Sequence, residues 1–124
     1  MMLRGRMRAV LTVSSSCPDT AFVVRISLEK PEGDYHLRHD ITSLSYQLGN
    51  YSPHTPAELH FIFDEYAFLL RAGERLRIDI TSADDNSYVN HTNRTGPYAA
   101  QTGADLAVNT VYLDQSRLIL PVEN

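Results

Sequence analysis

Along most of the chain, apolar and polar residues alternate one for one. In "RAVLTVS", Ala9, Leu11 and Val13 share one face, and in "FVVRISLE" Phe22, Val24, Ile26 and Leu28 oppose Arg25, Ser27 and Glu29. In "ELHFIF", Leu59, Phe61 and Phe63 alternate with Glu58, His60 and Ile62; in "RLRIDIT", Leu76, Ile78 and Ile80 alternate with charged residues. "VNTVYLD" sets Val108, Thr110 and Tyr112 against Asn109, Val111 and Leu113, and in "RLILPV" Leu118, Leu120 and Val122 share a face. A period of two marks strands with one face in a core and one in water. The pattern predicts an all-β chain of short strands.

Turn residues separate these runs: "SCPD" at 16–19, "KPEGD" at 30–34, "YSPHTP" at 51–56 and "RAGE" at 71–74. Gly33 and Gly73 suit backbone with positive φ. Short strands with turns between them predict a sandwich or a closed barrel. Only "DEYAFLLRAG" looks helical, and its shortness and Gly73 favour a strand or a single turn. With no repeat or shift in composition, residues 7–122 read as one sandwich domain and residues 1–6 as a lead-in segment carrying Arg4 and Arg6. The exception to compactness is residues 82–107, a polar stretch too long for an ordinary connection, of the kind that is functional or mobile.

Composition narrows the function. A chain of 124 residues, 43% of them hydrophobic, suffices for one core. No apolar run is long enough for a membrane-spanning helix, and no signal-peptide pattern follows the basic start. A net charge of −4 gives no basic surface for nucleic acid. The single cysteine, Cys17, forbids an internal disulfide; this suits a reducing, cytoplasmic compartment and also an export route that needs none. Nothing beside Cys17 activates a thiolate, so it reads as a turn or buried residue. The Asn-x-Ser/Thr triplets at Asn50, Asn90 and Asn93 read as turn chemistry.

Catalytic patterns are missing. There is no Gly-x-Ser-x-Gly elbow, and no motif ties any of the five histidines to a serine, so no catalytic residue is assigned. Asp84, Asp85 and Asn86 lie together in a loop and are weak calcium candidates, without the spacing of a helix–loop–helix calcium site. His36 and His39 are three apart, which on a regular strand turns them to opposite faces, so they read as surface histidines. No cofactor is expected. A free-standing sandwich binding carbohydrate or calcium is one reading; seven tyrosines without tryptophan support it only weakly.

Several ordered motifs resemble a known family. "MRAVLTVSSSCPDTAFVVRI" (7–26), "FLLRAGERLRIDITSAD" (68–84), "HTNRTG" (91–96) followed by Gln101-Thr102, and "VNTVYLDQSRLILPV" (108–122) are similar to stretches of the C-terminal domain of the X-Pro dipeptidyl-peptidase and cocaine esterase group of serine hydrolases. The resemblance runs from about Met7 to Val122. It implies a jelly-roll β-sandwich, similar to galactose-binding domains, that follows an α/β-hydrolase domain, packs on it and helps wall its substrate pocket. The Ser-Asp-His machinery belongs to that partner domain and is not carried over. The family's Phe-Pro-aromatic-Asp-Arg-Asn loop is "ADDNSYVNH" here; Glu74 and Leu113 stand where histidines are common. The expected docking or pocket loop comprises Asp84, Asp85, Asn86, Tyr88, Asn90, His91, Asn93 and Arg94. A sheet face left bare would also favour a homodimer, and Ile62, Val111 and Leu113 are expected to point out of the core.

Overall fold

The computed structural model describes residues 1–82, 91–95 and 105–123. It is an all-β sandwich. The strands are β1 (Met2–Gly5), β2 (Arg8–Ser15), β3 (Ala21–Lys30), β4 (Gly33–Ser43), β5 (Ala57–Ile62), β6 (Tyr66–Leu69), β7 (Arg75–Thr81), β8 (Asn109–Ile119) and β9 (Val122–Glu123), with one short helix, α1 (Leu44–Leu48). They form three antiparallel sheets ordered β6-β1-β9, β5-β2-β8 and β4-β3-β7. The first two follow the same three chain paths, since β1 leads into β2, β5 into β6 and β8 into β9. They behave as one layer with a break. At the break Gly5 has φ +126° and lies against Pro121, where an added Cβ would come within 3.2 Å of the proline Cβ.

The core lies between this broken layer and the β4-β3-β7 sheet. Ala9, Leu11 and Val13 meet Phe22, Val24, Ile26 and Leu28, with Leu59, Phe61 and Phe63 beside them. These are the inward sets that the alternation picks out. Fully burying a side chain such as Phe22 or Phe61 stabilises by about 1.5–3 kcal/mol. Leu76, Ile78 and Ile80 of β7 pack on the same cluster from the sheet edge. The "RAGE" turn closes as expected: Glu74 N donates to Arg71 O at 3.1 Å, and Gly73 takes φ +86°.

The chain departs from the pattern in five places. Residues 1–6 hold strand β1, which pairs with β6 and β9, and Leu3 is fully buried; the arginines masked one apolar residue that faces inward. "VNTVYLD" and "SRLIL" are one strand rather than two. Val10 faces Arg117 while Thr12 faces Tyr112, so residues 113–116 bulge out opposite Leu11. Thr12 N donates to Ser116 Oγ, which donates to Tyr112 O, and this holds the bulge. Val111 pairs with Val13 and packs on the core, against the expectation that it points outward; Ile62 and Leu113 are exposed as expected. The bulge changes which parity faces inward, from Val111 before it to Leu118 and Leu120 after it.

Strand β4 carries a second bulge. Ile26 faces Arg38 but Ser27 faces His36, so Leu37 is the extra residue, and it turns into the core. His36 and His39 therefore share a face, with His39 Nδ1 2.8 Å from His36 Nε2. The expectation of opposite faces assumed an unbroken period of two. Finally, α1 has no counterpart in the hydrophobic pattern. Ser43 caps it by accepting from Tyr46 N, and Gly49, at φ +76°, ends it.

Candidate functional site

β2, β4 and β7 finish at one end of the sandwich, and β3, β5 and β8 begin there. This is the end from which the long polar stretch departs and to which it returns. Its organising group is Asp19, in the β2–β3 turn, whose residue is only 3% exposed. Asp19 Oδ1 accepts from Thr20 N (3.0 Å) and from Ser45 N (2.9 Å). Oδ2 accepts from Ser45 Oγ (2.6 Å) and from His91 Nε2 (3.2 Å). One buried carboxylate thus ties together the β2–β3 turn, the first turn of α1 and the returning stretch.

His91, Asn93 and Arg94 extend the arrangement. His91 Nδ1 accepts from Asn93 N at 2.8 Å. Asn93 is held at φ +66°; its Oδ1 accepts from Thr20 Oγ1 at 2.6 Å and its Nδ2 donates to Asp105 O at 2.7 Å. Arg94 pairs with the Asp105 carboxylate at 3.1 Å. Asparagine tolerates positive φ better than most residues, which explains its place here. Cys17 is buried, and its thiol donates to Leu106 O at 3.4 Å. Val108 N donates to Ser16 Oγ, and Ser16 N to Val108 O.

With Nε2 donating and Nδ1 accepting, both ring nitrogens of His91 are committed. A general base needs one nitrogen available to a substrate proton. The Asp19–His91 pair therefore builds a junction and not a catalytic dyad. The sequon reading of Asn93 as turn chemistry is in keeping with its bonded amide.

Large apolar side chains stand exposed around this junction, as Ile62, Leu113 and Ile119 do elsewhere on the molecule. Tyr46 is 85% exposed, Leu106 91% and Val108 67%. A shallow depression lined by Ala21, Ile41, Thr42, Ser43, Tyr46 and His91 lies on one side of His91. A second, lined by Ser82, His91, Asn93, Asp105, Leu106 and Asn109, lies on the other.

Of the residues expected to form the docking loop, the structure brings His91, Asn93 and Arg94 together. Asp84, Asp85, Asn86, Tyr88 and Asn90, and with them the calcium candidates, lie outside the described residues. Asp19, Ser45 and Tyr46 were missed. "CPDT" reads as a turn, and nothing local shows that its aspartate turns inward. Tyr46 lies on a helix too short to leave a periodic signal.

Comparison with curated proteins finds no match. Residues 1–118 match the family described as the X-Pro dipeptidyl-peptidase C-terminal non-catalytic domain. Together with the all-β sandwich and a junction whose histidine has no nitrogen to spare, this match over nearly the whole chain places the protein in that family of non-catalytic domains.

Proposed function

We propose that this sandwich docks on an α/β-hydrolase catalytic domain of the X-Pro dipeptidyl-peptidase type through the end organised by Asp19, and that the same end helps wall the substrate pocket. The observation that carries the reading is the grouping of Tyr46, Leu106 and Val108, all strongly exposed, around a rigid polar junction. Large apolar side chains gathered on a surface mark an interaction site. Four hydrogen bonds to one buried carboxylate hold the backbone beneath them in place, so little order has to be gained on docking. In this reading the partner domain supplies the nucleophile, base and orienting acid, and the sandwich supplies shape.

The test uses the full-length parent enzyme. Tyr46→Asp and Leu106→Asp should lower turnover of an Xaa-Pro-nitroanilide substrate and speed proteolytic cleavage between the domains. Ile62→Asp, a change on the outer face of β5, should do neither. Unchanged activity and unchanged protease resistance in both docking variants would overturn the docking role. A raised KM with intact packing would assign these residues to the pocket wall alone.

A further inference from the structure

The bulge in β4 assembles a pair of side chains that the docking end does not use. One inserted residue, Leu37, makes a three-residue spacing act as a two-residue one. His36 and His39 consequently stand side by side, their ring centroids 4.8 Å apart and His39 Nδ1 2.8 Å from His36 Nε2. Two ring nitrogens at that distance hold a single hydrogen between them. The rings lie at an open depression also lined by Arg38, Asp40, Asp64 and Tyr66.

The geometry points to a binding site for a divalent transition-metal ion of the zinc or copper class, held by His36 Nε2 and His39 Nδ1. Imidazole nitrogen is a preferred ligand of both ions. A tetrahedral ion with metal–nitrogen bonds of about 2.0–2.1 Å puts its two nitrogens roughly 3.3 Å apart. The pair has only to open by about half an ångström, a small side-chain rotation for rings at the protein surface. The shared hydrogen leaves its nitrogen and is replaced, through solvent, on the other nitrogen of the same ring. Both imidazoles stay neutral and each offers a lone pair to the ion.

Among the described residues no third His, Cys, Asp or Glu completes a cluster. Water therefore fills the remaining positions, and the site is exchangeable rather than a closed structural centre. Asp40 and Asp64 lend the depression negative potential, and Arg38 and Arg25, the latter opposite His39 in register, offset part of it. Affinity is correspondingly modest.

Calorimetric titration of the full chain with zinc chloride, and separately with copper(II) chloride, tests the site. One saturable site with a Kd below about 1 mM is expected. His36→Gln and His39→Gln should each weaken it at least about tenfold, since even partners of metal ligands are worth that much. His60→Gln, beside Glu58 on β5, should leave it unchanged. The copper form should show nitrogen hyperfine structure from two imidazoles, reduced to one in either variant. Thermal melts by circular dichroism confirm that the variants are folded before metal is added. No saturable binding of either ion, or equal binding by wild type and both variants, would overturn the assignment, as would loss of binding in His60→Gln.

Discussion

Replacing Asp19 by alanine removes four hydrogen bonds from one place. Two of the donors, Thr20 N and Ser45 N, are backbone groups, and Thr20 is fully buried. A buried donor left without a partner costs about 1–3 kcal/mol. Ser45 N lies in the first turn of α1, where water reaches it more easily, so its share falls at the low end. Ser45 Oγ and His91 Nε2 can turn to solvent at smaller cost. The sum is a destabilisation of about 2–4 kcal/mol, which in a domain of this size lowers the melting temperature by roughly 8–15 °C. Asp19→Asn separates the contributions. Its Oδ1 still serves both backbone donors, and its amide can donate to Ser45 Oγ. Only His91 is placed in conflict, because a ring that accepts from the asparagine amide must present N–H to the Asn93 N–H. Asp19→Asn should therefore cost about 1–2 kcal/mol, most of it absent when His91 is already alanine. Urea denaturation followed by circular dichroism, with the Asp19→Asn/His91→Ala double-mutant cycle, measures both. An Asp19→Ala chain within about 0.5 kcal/mol of wild type, or equal losses for alanine and asparagine, would refute the junction.

Other expectations concern the rest of the scaffold. Gly5→Ala places a Cβ on a residue at φ +126°, 3.2 Å from Pro121 Cβ; a loss of about 1–3 kcal/mol is expected in the same denaturation assay. Ser116→Ala strands Thr12 N at the β8 bulge and should cost about 1–2 kcal/mol, with faster hydrogen exchange at Thr12. Asp40 has its carboxyl pushed above the ordinary value of 3.8, chiefly by burial, with Asp64 adding repulsion and the Ile41 N–H and His39 opposing. A carboxyl raised in the folded state penalises folding when ionised. Asp40→Asn should therefore be the more stable chain at pH 7, with the advantage lost as pH falls through the raised value toward 3.8. A constant advantage down to pH 3 would contradict that cause.

The legible part of the fold is the part with one apolar face. β2, β3, β5 and β7 write their inward residues at every second position, so Ala9, Leu11, Val13, the Phe22–Leu28 set, Leu59, Phe61 and Phe63 can be read directly, whereas Leu37, Leu44 and Tyr51 of the same core cannot. β4 is different. It is an edge strand whose core-side positions opposite β3 are Arg38, Asp40 and Thr42. Arg38 reaches across to Asp64 O and Glu65 O and lies over the Tyr66 ring, so polar residues close that edge and no alternation survives. The two bulges are invisible for a related reason. Each inserts residues whose identities are ordinary, and only the partner strand reveals the lost phase. The His36–His39 pair and the inward turn of Val111 both follow from that lost phase. At the Asp19 end of the sandwich, the Asn-rich character of residues 90–93 signalled local hydrogen bonding. The partner that gives it shape, Asp19, is 72 residues away from His91 in the chain, a distance that local pattern does not span.

Hydrogen–deuterium exchange of this chain, alone and within the full-length parent enzyme, tests the docking claim most directly. Slowed exchange is expected in the parent at residues 43–49 and 105–108, around Tyr46, Leu106 and Val108, with the outer face of β5 around His60 and Ile62 unchanged. Protection confined to the β5 face, or no difference between the two forms, would contradict it.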